Sequence, residues 1–223
     1  PEGGFYRMSP TVPGQPLRGG RRHMLRAVGA PDLRSGRRVG ERLRVQWVDI
    51  PDPLAGADAY GEGLGVLRQG LAAGGSRFTR LEGVIVGDGR VYFTATNGGD
   101  AACGQVWVYH PGAEVLELAY ESPDRLELDY PDNVVLSPRG GLVICEDSDQ
   151  PVQRLYGLDR AGGLFEFCRN NVVLDGHRGF SGDFREEEWA GACFSPDGRW
   201  LFANVYSPGF TVAITGPWKP GLI

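Results

Sequence analysis

Three acidic side chains recur at matching points of a repeated pattern. Glu82 stands in Arg80-Leu81-Glu82-Gly83-Val84-Ile85-Val86-Gly87-Asp88-Gly89-Arg90, Asp132 in Pro131-Asp132-Asn133-Val134-Val135-Leu136-Ser137-Pro138-Arg139-Gly140-Gly141, and Glu188 in Glu188-Trp189-Ala190-Gly191-Ala192-Cys193-Phe194-Ser195-Pro196-Asp197-Gly198. Registered on their turns, with one residue of difference allowed in the turns, Glu82 aligns with Asp132 and with Ala190. Glu188 lies two residues before Ala190. Side chains two apart on a strand share a face, so all three carboxylates are expected to point the same way. Carboxylates that converge repel one another, and they stay ionised together only when cations sit among them. Arg80 and Glu82 stand at i and i+2, which on an extended strand aims a guanidinium and a candidate metal ligand at the same space. That pairing argues for an anionic substrate, because arginine suits planar two-point contacts to oxyanions.

The elements that position these residues are short. Each copy reads as an apolar strand, a turn rich in Gly, Asp or Ser-Pro, and a second apolar strand, which is a hairpin signal. The copies return at about 50 residues, within the range of propeller blades. In a propeller the innermost strand of each blade lines a central channel, so the three acids are expected to converge there. The expected fold is all-β, a β-propeller, with about three of its blades in this chain. Residues 1–223 then form the C-terminal part of one propeller domain: outer strands of a partial blade in 1–50, and blades over 80–121, 130–168 and 187–216. Strands are expected over 82–86, 90–96, 105–109 and 115–121, then 133–136, 142–146, 153–158 and 164–168, then 189–194, 200–206 and 212–215. Residues 170–187 read as a long polar connection containing His177, and 59–73 as the best helical stretch, with Tyr60, Leu64, Leu67 and Leu71 at helical spacing. Glycines at 61, 63, 65 and 70 weaken that helix. An unclosed propeller exposes a strand edge, so the natural protein is expected to be longer at its N-terminus, or to assemble with another copy.

Composition agrees with many short strands: 35 Gly and 16 Pro accompany 41% hydrophobic residues among 223. The net charge of -5 is uneven, with ten arginines against four acids in residues 1–50, so that segment carries +6 and the remainder -11. The arginines are scattered among prolines and glycines with few aromatics, which argues against a nucleic-acid surface, while the acidic remainder fits cation binding. Cys103, Cys145, Cys168 and Cys193 show no metal-finger spacing. Cys145 and Cys193 fall inside apolar strands and read as buried free thiols. No apolar run of about 18 residues is present to span a membrane. Asp88 and Asp197 read as turn formers, and Trp107, Trp189, Trp200 and Trp218 as packing between blades. His23, His110 and His177 lie in separate settings without partner spacing. Ser195 lacks the elbow of a serine nucleophile.

Taken in order, Arg80-Leu81-Glu82-Gly83, Gly104-Gln105-Val106-Trp107-Val108-Tyr109, Pro131-Asp132-Asn133, Cys145-Glu146-Asp147 and Glu188-Trp189-Ala190-Gly191-Ala192-Cys193-Phe194-Ser195-Pro196-Asp197-Gly198 resemble the PhoX family of alkaline phosphatases. Gly4-Phe5-Tyr6-Arg7, Trp47-Val48-Asp49-Ile50-Pro51-Asp52-Pro53 and Ser207-Pro208-Gly209 extend the resemblance over nearly the whole chain. The resemblance implies a six-bladed propeller, monomeric at full length, whose channel holds calcium and iron ions. It implies hydrolysis of small phosphate monoesters in the periplasm or outside the cell after twin-arginine export. By position, Glu82, Asp132 and Glu188 match metal-binding acids, Arg80 a catalytic, phosphate-contacting arginine, and Asn133 a phosphate-binding residue. Glu146 and Asp147 are placed either in the cation shell or in a structural turn. The N-terminal blades of the family, with their own metal ligands, have no counterpart in this chain. Two rival readings are a calcium-dependent lactonase, since Pro-Asp-Asn-x-x-x-Ser-Pro also resembles lactonase blades, and a non-catalytic propeller that serves as a binding platform.

Overall fold

The structure, a computed structural model, describes residues 2–56, 65–220, 222 and 223. In chain order the strands are β1 (Glu2–Gly3), β2 (Tyr6–Pro10), β3 (Gly20–Ala27), β4 (Arg42–Ile50), β5 (Phe78–Thr79), β6 (Leu81–Gly87), β7 (Arg90–Ala95), β8 (Gln105–His110) and β9 (Val115–Glu121). They continue as β10 (Pro131–Leu136), β11 (Leu142–Glu146), β12 (Arg154–Leu158), β13 (Leu164–Arg169), β14 (Val173–His177), β15 (Phe180–Asp183), β16 (Trp189–Phe194), β17 (Leu201–Val205) and β18 (Phe210–Ile214). One α-helix, α1 (Gly65–Ala72), lies between β4 and β5.

The antiparallel meanders β6-β7-β8-β9, β10-β11-β12-β13 and β16-β17-β18 have the order expected of propeller blades. They stack face to face, and the period-2 alternation of their strands is what allows it. On β11, Leu142 and Ile144 enter a core with Tyr92, Val106, Val108 and Tyr120 of the preceding meander. Val143 and Cys145 point the other way, into a core with Trp189, Leu201, Ala203 and Val205 of the following one. A strand with two apolar faces reads as a continuous hydrophobic run, and all five residues of β11 are buried. The fold is therefore all-β and propeller-like.

Four features differ from the sequence reading. Strands β2, β3 and β4 are joined to the outer strand β9 through Arg42–Arg44 and Val115–Glu117, giving a seven-stranded sheet β2-β3-β4-β9-β8-β7-β6. That sheet curls so that Leu25, Ala27 and Val45 pack with Phe78, Phe93, Trp107 and Leu116, covering the face that a preceding blade takes in a ring. The helical stretch ends at Ala72, one residue before its expected end; its expected beginning, with Tyr60 and Leu64, lies outside the described residues. The connection 170–187 contains a hairpin, β14-β15, that its polar composition conceals. Finally, Cys193 and Trp200 are exposed although they alternate correctly for a core, because among the described residues no further sheet covers that face of β16-β17-β18. Among the described residues no helix is long and apolar enough to cross a membrane.

Candidate active site

Strands β6, β10 and β16 are the first of their meanders and lie side by side without sharing a ladder. Each carries a bulge one residue or so from its start. The register jumps between Leu81 and Val84 against β7, between Pro131 and Val134 against β11, and between Ala190 and Cys193 against β17. The residues inside the bulges are Glu82-Gly83, Asp132-Asn133 and Gly191-Ala192. A bulge frees two residues from the ladder and re-aims their side chains, so the repeat in sequence is also a repeat in backbone irregularity.

The freed backbone groups find partners between strands, as buried amides require. Gly83 N–H donates to Thr94 Oγ1 at 3.0 Å, and that hydroxyl donates to the Asp132 carbonyl at 2.7 Å. Thr96 Oγ1 donates to the Pro131 carbonyl at 3.1 Å, and Ala192 N–H donates to Asn133 Oδ1 at 3.2 Å. Gly83 is required by this approach: a Cβ there would collide with the Asp132 carbonyl oxygen and lie 2.8 Å from Val134 N. One glycine thus lets β6 and β10 come close enough to bring Glu82 to Asp132.

The acids gather at the end where β6, β10 and β16 begin. Asp132 is half-buried; burial first, then the charges of Glu82 and Asp147, hold its carboxyl above the usual range, with Arg80 pulling the other way. Glu188 is pushed up to about 7 by burial, then by its hydrogen bond with Asp147 and by the charges of Asp147, Asp132 and Glu187. Arg80 Nε lies 3.5 Å from Glu82 Oε1. Its guanidinium carbon stands 5.7 Å from the centre of the Tyr130 ring, which also carries the Arg125 guanidinium at 5.9 Å. Both Arg80 and Tyr130 occupy the left-handed region, at φ 35 and 55, immediately before their inner strands. Such strain is uncommon in non-glycine residues and clusters at functional sites.

Glu82, Asp132, Asp147 and Glu188 are thus electrostatically linked, with Arg80 beside them. Glu188 reaches the group differently from the sequence expectation. The bulge registers place Gly191, not Ala190, opposite Glu82 and Asp132, and Glu188 precedes the strand itself, joining the group through Asp147. Asn133 ties β10 to β16 with its carbonyl oxygen, a bridging duty beside the expected contact to phosphate. Glu146 is not brought to the cluster. Arg154 Nε and Nη2 each donate to its carboxylate at 2.8 Å, and the N–H groups of Asp129 and Arg154 donate at 3.0 and 3.1 Å; of its two expected duties the structural one fits. Asp197 accepts from Ser195 Oγ at 2.6 Å and from Arg199 N–H at 3.0 Å, as a turn former does. Tyr130 and Arg125 escape sequence reasoning. Tyr130 adjoins Pro131-Asp132-Asn133, but Arg125 lies in a loop without pattern.

The donor set is all oxygen, which suits hard cations such as calcium and ferric iron, and mutual repulsion among these acids is what a cation relieves. Among the described residues, no three His, Cys, Asp or Glu side chains are arranged as a group that could hold a metal ion. No match was found among curated proteins. The family model for alkaline phosphatase PhoX matches residues 1–209, spanning all three bulged inner strands and every site residue above. The chain therefore belongs to the PhoX family of alkaline phosphatases, which are phosphoric monoester hydrolases.

Proposed function

We propose that phosphate monoesters are hydrolysed at the end of the channel where β6, β10 and β16 begin, with calcium and iron held by Glu82, Asp132 and Glu188 and with Asp147 beside them. The observation that carries this reading is the gathering of acids from three neighbouring inner strands at one end, where burial first and then mutual charge hold the carboxyls of Asp132 and Glu188 above their usual range. When bound, the ions would screen the phosphate dianion and lower the pKa of bound water. Arg80, steadied by Tyr130, grips the phosphoryl oxygens with its planar guanidinium. Arg125 adds a second positive charge at the same ring, so the two guanidiniums match the dianionic ester. Asn133, its carbonyl held by Ala192 N–H, keeps its amide nitrogen available to donate to a phosphoryl oxygen. Thr94 fixes the Asp132 and Glu82 backbones relative to each other and so sets the spacing of the acids. The reading extends to a periplasmic or extracellular enzyme built as a six-bladed ring.

The test is metal content together with p-nitrophenyl phosphate turnover, for the protein and for Glu82→Ala. Calcium and iron in the protein, with turnover and metal lost together in the variant, is the expected result. Normal turnover without Glu82, or a protein that binds neither metal, would discard the reading.

A further inference from the structure

A cavity of about 530 Å³ lies between the hairpin β14-β15 and the turn that joins β17 to β18. Leu174 and Phe180 line it from the hairpin, Pro208 and Phe210 from the turn, and His177 and Arg178 from the hairpin tip. Its volume is that of a site for a small organic molecule, and its lining is apolar with a few polar groups, as such sites are.

Its place in the fold ties it to the acid cluster. Trp189, the first residue of β16, pairs with Val205, the last of β17, and Val205 pairs with Phe210, the first of β18. The turn between β17 and β18 is therefore at the same end as Glu188. Tyr206 N–H donates to the Glu188 carbonyl at 3.1 Å, and the cavity residue Pro208 follows two positions later. The hairpin rises from that end as well. Its stem is pinned by Asn170 Nδ2 to the carbonyls of Phe184 at 2.7 Å and Glu187 at 3.0 Å, and by Phe184 N–H to the Val172 carbonyl at 2.9 Å. Glu187 and Glu188 then lead straight into the site, so the hairpin and the acids share one hydrogen-bonded connection.

We infer that this cavity receives the alcohol part of the phosphate monoester, and that it favours an aryl alcohol. The inference rests on the proposed site for the phosphoryl group. An aromatic ring entering the cavity is flanked by Phe180, Phe210 and Pro208, while the imidazole of His177 and the guanidinium of Arg178 offer faces and charge that aromatic rings attract. A small polar alcohol such as glycerol reaches none of these surfaces. Selectivity among esters then comes from an insertion between two blades, and the phosphoryl chemistry from the inner strands.

Phe180 stands on an exposed hairpin, 46% accessible, so its replacement leaves the cores intact. In the enzyme, Phe180→Ser is expected to lower kcat/KM for 1-naphthyl phosphate about 10-fold, on the order of one lost aromatic contact, and to leave glycerol 2-phosphate within about twofold. Binding of 1-naphthol, followed by ligand-observed NMR, is expected to weaken in the same variant. Equal effects on both esters, or naphthol binding indifferent to Phe180→Ser, would overturn the cavity assignment while hydrolysis stands. No turnover of either ester would instead overturn the phosphatase site on which the assignment depends.

Discussion

Glu146 and Asp147 are consecutive carboxylates at the end of one strand, and they lie in opposite environments. Glu146 is 0% exposed and meets four N–H donors, two from Arg154 and two from backbone. Asp147 hydrogen-bonds to Glu188, and its charge acts on Glu188 and Asp132. The first carboxylate is satisfied by its own chain, whereas the second belongs to a group that the described chain leaves short of positive charge. Buried charges of the first kind hold a fold together, because losing one partner strands the other. Groups of the second kind cost stability, and they persist where a ligand or reaction uses them.

The largest break in this contrast is expected at Glu146. Glu146→Ala leaves the Arg154 guanidinium, which is only 14% exposed, without its charge partner and with only the carbonyls of Leu126 and Arg125 as acceptors, and should cost about 3 kcal/mol in urea unfolding. Glu82→Ala, on an exposed residue, should stay within about 0.5 kcal/mol. Similar losses in the two variants would erase the distinction. Next in size is Arg80→Met, expected to reduce turnover of phosphate esters by about 10²–10³-fold, the scale of one lost charge-stabilising donor. Unchanged turnover would remove Arg80 from the site.

The smallest effect is in the pH dependence of stability after chelator treatment. Glu188 is pushed up to about 7 from an ordinary 4.5, so the folded chain holds that proton more tightly than the unfolded chain does. Its contribution is full below about 4.5 and is lost as pH rises through about 7. Urea midpoints of the chelated protein should therefore fall across that window, and Glu188→Gln should flatten the slope. A slope that survives Glu188→Gln would place the coupling elsewhere.

Much of the fold was legible in the residues. Strands β9, β11 and β16 begin and end where alternation and turn signals place them, because their apolar side chains have to fill cores, on both faces of β11 and on one face of β16. The hairpin β14-β15 was not legible, since its residues are mostly exposed and no apolar period marks it. The same limit applies to residues 1–50, whose strands are readable but whose attachment to β9 depends on a three-residue ladder that no local pattern encodes.

For the site, the sequence by itself determined that three acids recur with the blades, that an arginine stands two residues from the first of them, and that a glycine follows Glu82. Those are properties of composition and spacing. Only the tertiary structure decided which acids meet. The bulges shift the register by one residue, so Gly191 takes the place expected for Ala190 and Glu188 arrives through Asp147. Glu146 turns to Arg154, and Asn133 turns to the next blade. Tyr130 gathers two arginines that are 45 residues apart in the chain. Each of these outcomes depends on contacts between separate strands, and a bulge or an inter-blade hydrogen bond leaves no period in the sequence from which to read it.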